Sequence, residues 1–247
     1  MMIKKVRDLT LISIDKEKVM VVACDGAGGI GKKEGDTFKT DPFYAAKFTA
    51  RVALMEVICC KAKIVTLTNV VCNEMEPTGS RVIEGITKEL EALGLNINVL
   101  NGSTEENFKT LSTGIGVTVI GLANTNEIKV NKAKDNDIII SLGLPKLGTE
   151  MSSLDYDSEI VNYNQINKLL EMEDVHEIVP VGSKGILYES EKLAENNSLN
   201  LILKNNLSID IRRTAGPASV IIASIDESIL HEVSGLGIVN VIGRLNK

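Results

Sequence analysis

Residues 21 to 36, VVACDGAGGIGKKEGD, hold the residue types that chemistry on a metal-bound phosphate needs. An apolar run leads to one carboxylate, Asp25, followed by Gly26, Gly28, Gly29 and Gly31 and at once by Lys32 and Lys33. The acid can hold a cation, the glycines let backbone amides approach a ligand with no Cβ in the way, and the lysines can meet phosphate oxygens. The run contains no GxxxxGK[ST], so it is not a Walker loop. It also lacks the immediate helix and later ribose-binding acid of a dinucleotide fingerprint. A glycine-rich hairpin turn fits the same residues, and this segment alone leaves both readings open.

The elements that would carry these residues follow from local patterning. Residues 8 to 15 and 18 to 24 read as two strands, the second ending at Asp25. Asp41-Pro42 starts a helix, since aspartate caps and proline fits the first helical position. The helix runs to about Cys60, with Phe48, Val52, Met55 and Cys59 forming a buried face and Glu56 beside it. Fifteen residues separate Asp41 from Glu56, roughly 22 Å along a helix, so the two cannot share a metal ion within one helix. Residues 63 to 73 read as an interior strand, and NEMEPTG at 73 to 79 leads into a helix through about Leu93 that stops at Gly94. A short strand at 95 to 100 then meets the polar loop Asn101-Gly102-Ser103-Thr104-Glu105-Glu106-Asn107. That loop serves equally as a ligand-facing turn or a solvent-facing one. Residues 113 to 121 form a glycine-flanked strand.

After a junction near 122 to 126 the pattern yields strands at 138 to 142, 177 to 181, 199 to 203 and 218 to 225, with helices at 162 to 170 and 185 to 195. Two domains are expected, residues 1–123 and 124–247, in a fold mixing α and β elements. Gly182-Ser183-Lys184-Gly185 opens the last helix and offers free amides beside a lysine, as an anion site does. Simple capping by Ser183 fits the same residues.

Composition removes several function classes. The chain has 247 residues, 44% of them hydrophobic, and a net charge of −6 with its basic residues dispersed, which together with 3% aromatic content argues against nucleic-acid binding. Cys24, Cys59, Cys60 and Cys72 have no CxxC spacing and read as buried free thiols of a cytoplasmic protein. His176 and His231 show no zinc spacing, and no GxSxG elbow is present. No stretch reads as a signal peptide or as a membrane span.

Several segments occur together in one order: VVACDGAGGIG, TDPFYAAKFTARVALMEV, LNGSTEENFKT, TGIGVTVIG, DIIISLGLPKLGTE, VGSKGILYESEKLAE and AGPASVII. Over about residues 5 to 245 the chain resembles the superfamily of aminoimidazole ribonucleotide synthetase (PurM-like), which includes selenophosphate synthetase and thiamine-monophosphate kinase. NEMEPTG and GSTEEN are most similar to α-ribazole kinases, which phosphorylate the lower-ligand nucleoside of cobamides. The resemblance implies an α+β two-domain fold whose N-terminal sheets join in a dimeric β-barrel, followed by a C-terminal α/β domain. It further implies a homodimer using ATP and Mg²⁺ on a small-molecule substrate, with neither nucleic acid nor membrane as partner. Asp25, Glu56 and Glu105 would then hold the metal. Lys32 and Lys33 would offset charge in transfer. Gly28, Gly29, Gly31, Asp41, Gly102, Ser103, Thr104, Gly182, Ser183 and Lys184 would line the nucleotide site. Relatives carry a Gly-Gly-Asp-Thr loop where this chain has Asn101-Gly102-Ser103-Thr104, so a metal role there would pass to Glu105 or Glu106. The longer N-terminal extension of selenophosphate synthetase has no counterpart in this sequence, so that activity is not expected. The alternatives are synthetase chemistry at the same metal-ATP site and a nucleotide-binding module without catalysis.

Overall fold

The computed structural model describes residues 2–150 and 157–247. The chain divides into two compact units, one holding residues up to Ile58 together with Ala62–Thr125, the other Cys59–Lys61 and Asn126–Lys247.

The first unit runs β1 (Ile3–Val6), β2 (Leu9–Ser13), β3 (Lys18–Gly28), β4 (Ile30–Gly31), β5 (Phe38–Lys39), α1 (Pro42–Cys59), β6 (Lys63–Val71), α2 (Ser80–Ala92), β7 (Leu100–Ser103) and β8 (Gly114–Asn124). Six of these strands form one sheet in the order β1-β2-β3-β8-β6-β7, antiparallel throughout except for the parallel β6–β7 pair. Period-two alternation decides its faces. Val19, Val21 and Ala23 of β3 and Val117 and Val119 of β8 are buried, as are Leu54, Met55 and Val57 of α1. The position of Val57 against Gly121 of β8 shows that α1 covers this face. Met20, Val22, Ile120 and Leu122 point the other way and stay partly exposed, so the outer face is apolar and no helix of this unit covers it.

The expected barrel is absent. The end strands β1 and β7 pair only inward, with β2 and β6, so the sheet is open rather than closed on itself. Each end strand is four residues long, too short to complete a ring of strands. Two other expectations change for reasons of register. Cys24 and Cys72 are exposed while Cys59 and Cys60 are buried, because Cys24 falls on the outer parity of β3. Residues 97–99 form a 3₁₀ turn and the strand begins only at Leu100, where pairing with Leu67 starts.

The second unit contains β9 (Ile138–Leu142), α3 (Tyr163–Glu171), β10 (Val175–Pro180), α4 (Gly185–Asn196), β11 (Asn200–Leu203), β12 (Ile221–Ile225), α5 (Leu230–Ser234) and β13 (Val239–Asn246). Its sheet, β10-β12-β9-β13-β11, is antiparallel at every pairing, which is not the parallel layout that an α/β domain implies. Ile139, Val179, Ile222 and Ile242 of the sheet pack with Ile186, Leu193 and Ala194 of α4. α3 starts with a reciprocal capping box between Asn162 and Gln165. Asp137, 3% exposed, accepts hydrogen bonds from Ser224 Oγ, from Lys134 N at 2.7 Å and from His176 Nδ1 at 2.8 Å. Lys134 Nζ lies 2.8 Å from His176 Nε2. Lys134, His176, Asp137 and Ser224 thus form one continuous hydrogen-bonded chain.

Candidate functional site

Asp25 lies within β3 rather than in the loop beyond it, because β3 continues through Gly26 and Gly28, paired with Gly116 and Gly114 of β8. It has the parity of Val21 and Ala23 and so continues the helix-covered face as its polar end. Burial raises its pKa first, the neighbouring charge of Asp8 adds to this, and the Gly26 amide opposes them. Burial thus disfavours the ionised form of Asp25, and a bound cation would restore it.

The loop after β3 is tied to the chain just before β8. Asp36 is buried and accepts from Thr113 N at 2.6 Å, Thr113 Oγ1 at 2.7 Å and Lys33 N at 2.8 Å. Burial pushes the Asp36 carboxyl up, but these hydrogen bonds prevail and hold it below the usual range. Gly31 packs against this bond set. A Cβ there would stand 2.2 Å from Thr113 Oγ1, so the close approach admits only glycine.

Both lysines of the glycine loop are paired with acids. Lys32 Nζ donates to Asp41 Oδ2 at 2.6 Å, and Arg81 Nε of α2 donates to Asp41 Oδ1 at 2.9 Å. Asp41 also caps α1, accepting from Phe43 N at 3.1 Å. Desolvation opposes ionisation of Asp41, yet the Lys32 and Arg81 bonds lower its pKa to about 2. Lys33 Nζ donates to Glu74 Oε2, and Thr78 Oγ1 donates to Glu74 Oε1 at 2.7 Å. Burial raises Glu74, while Lys33 and then Thr78 bring it below its ordinary value.

The 101–107 loop closes one side of the same region. Asn73 is fully buried and donates to Thr110 Oγ1 at 2.5 Å and to Ser112 O at 2.9 Å, while accepting from Gly114 N at 3.0 Å. Glu105 accepts from the amides of Asn107 at 2.7 Å and Phe108 at 3.3 Å, and Glu106 accepts from Met75 N and Thr104 Oγ1. Gly102 is explained by its sheet neighbour, since a Cβ there would meet Asn69 O at 2.6 Å. Ser103 ends β7 beside Val70.

The structure thus brings Lys32, Lys33 and Asp41 together around Gly29 and Gly31, and adds Asp36, Glu74 and Arg81, which sequence reasoning missed. The signal for Glu74 lay in the NEMEPTG segment, whose acid falls just after an interior strand. Glu56 stands apart from Asp41, buried in the last turn of the unbroken helix α1. An acid at that end of α1 opposes the helix dipole. In the second unit Gly182 O accepts from Gly185 N and Ala215 N. Ser183 forms no side-chain cap on α4, and Lys184 Nζ donates to Tyr188 Oη at 3.1 Å, 4.2 Å above the ring.

No group of three or more His, Cys, Asp or Glu able to hold a metal ion occurs among the described residues. Mg²⁺ suits what is present, because it takes one or two carboxylates and completes its shell with phosphate oxygens and water. Asp25, half-buried at the polar end of β3, supplies one such carboxylate.

Residues 7–123 match the family model described as AIR synthase related protein, N-terminal domain. The fold is PurM-like. The thiamine-monophosphate kinase of Stenotrophomonas maltophilia K279a superposes with a TM-score of 0.69 at 16% identity, covering 99% of this chain and 89% of that one. Thiamine monophosphate kinase from Aquifex aeolicus gives 0.70 at 14% identity, with 99% and 90% covered. PurL of Thermotoga maritima complexed with ATP gives 0.62 at 14% identity over 97% of this chain, which spans only 37% of the PurL chain. No curated protein matches the chain in sequence. Among the described residues no helix is long and apolar enough to cross a membrane.

Proposed function

We propose that the chain is an ATP- and Mg²⁺-dependent phosphotransferase acting on a hydroxyl of a small nucleoside, with α-ribazole as acceptor. The observation that carries this reading is the set of ion pairs around the glycine loop, Lys32 with Asp41 and Lys33 with Glu74. A magnesium polyphosphate brings both signs of charge at once. Its oxygens can take the two lysines while the cation compensates the acids released, so the pairs exchange partners without leaving a charge uncompensated. Asp25 and Glu56 are the proposed metal ligands, with Glu105 as a third. Gly28, Gly29, Gly31, Gly102, Ser103 and Thr104 line the path of the phosphates, and Gly182, Ser183 and Lys184 bind an anionic part of a ligand in the second unit. Bound Mg²⁺ would neutralise charge on the phosphate oxygens. Lys32 and Lys33 hold the transferring group and offset the charge that develops on it, and the remaining catalysis is positioning. A second copy covers the apolar outer face of the first unit's sheet, making the active species a homodimer.

The test is ATP consumption with Mg²⁺ across α-ribazole, thiamine monophosphate and ribonucleosides, with mass analysis of every product. A new phosphate on α-ribazole is the expected result. ATP turnover that requires a nitrogenous co-substrate, with no phosphorylated alcohol, would replace this reading with synthetase chemistry.

A further inference from the structure

A cavity of about 440 Å³ opens in the second unit beside α3 and α5, away from every residue assigned above. Met172, Ile229 and Leu236 line it and are half-buried, which makes them its apolar floor. Glu171, Glu173, Asp174 and Glu232 stand exposed around them, against a single cation, Lys168. None of these four side chains forms a hydrogen bond or ion pair within the described residues. Glu171 even occupies the last residue of α3, where the helix dipole disfavours an acid. Four carboxylates around one apolar opening repel each other, and among the described residues no hydrogen bond or ion pair to them offsets that cost.

We infer that this groove docks a basic peptide segment of a partner protein. An aliphatic or aromatic side chain enters over Met172, Ile229 and Leu236, and lysines or arginines on either side meet the four carboxylates. The volume lies in the range that takes a small ligand or a few anchoring side chains. Apolar burial supplies the hold, and the acidic rim supplies steering and choice of partner. A polyamine or a divalent cation would use the acids and leave the floor wet, and an apolar small molecule would use the floor and ignore the acids.

The probe is a fluorescein-labelled peptide with two central leucines flanked by lysines and arginines, titrated by the full-length protein at low salt and read by anisotropy. Saturable binding is expected, about tenfold weaker in the combined variant Glu171→Gln, Glu173→Gln, Asp174→Asn, Glu232→Gln, and weaker again at about 200 mM salt. Replacing the peptide's leucines by serines should cost about fivefold or more. Lys168→Glu should tighten binding by about twofold, a gain that a misfolded protein cannot imitate. Equal binding to the neutralised variant, equal binding of the serine peptide, competition by spermine as strong as by unlabelled peptide, or no saturable binding would each overturn the inference.

Discussion

Around the glycine loop, Lys32, Lys33 and Arg81 meet Asp41 and Glu74 in pairs that solvent reaches, whereas Asp137, His176 and Ser224 of the second unit are sealed into a chain that Lys134 caps. The residue types overlap, but the energetics differ. A pair reached by water is worth little and can be traded for another partner at small cost. A buried donor left without its acceptor has no such replacement. The first arrangement suits a site that must exchange its own ion pairs for those of a ligand, and the second suits a fixed junction between strands. Charge alone would not have told them apart; exposure does.

The sharpest test of that contrast is Asp25→Asn. Turnover of Mg-ATP should fall by roughly 100-fold or more, while the ligand-free protein melts at a higher temperature because the cost of burying a charge, and the smaller repulsion from Asp8, are gone. With its pKa raised in the folded state, Asp25 detracts from stability as pH rises through its titration. The gain from Asp25→Asn should accordingly appear at neutral pH and vanish in acid. Calorimetry together with an ATPase assay reads both, and unchanged turnover would remove Asp25 from the mechanism. Next in size, Asp137→Ala should cost roughly 2–4 kcal/mol in denaturant unfolding, since it strands buried donors of Ser224 and His176, with turnover intact wherever the protein stays folded. An activity loss without a stability loss would mean that the buried chain is not merely structural.

How much of this was readable beforehand depends on how local the determinant was. The α1 start at Asp41-Pro42 and the strand at Ile138–Leu142 come from capping and apolar runs a few residues long, and both occur where expected. The extension of β3 past Asp25 depends on Gly114 and Gly116, about ninety residues away, and no pattern near Asp25 announces it. For the same reason Lys32 and Lys33 were identified as charges but Glu74, Arg81 and Asp8 were missed as their partners or neighbours. The barrel came from resemblance, and the described sheet ends in two short open edges instead.

Two smaller effects refine the contrast. Glu74→Gln releases Lys33, so binding of inorganic phosphate should strengthen by about threefold to tenfold in calorimetric titration; weaker binding would show that Glu74 positions Lys33 rather than occupying it. Asp41, held at about pKa 2 by Lys32 and Arg81, contributes stability above its ordinary value near pH 4 that is lost as pH falls toward 2. Because Lys32 is largely exposed, the contribution is only about 1 kcal/mol, and Asp41→Asn should flatten the acid-unfolding curve in that window alone.

The open sheet of the first unit has one more consequence. Its outer strand β1 carries Lys4 and Lys5 and its other end is the polar β7, so both margins are short and resist the addition of further strands. Its broad side, by contrast, carries Met20, Val22, Ile120 and Leu122. In the proposed homodimer, association would be a single stacking event that uses up this surface, with short margins that disfavour growth into a fibre.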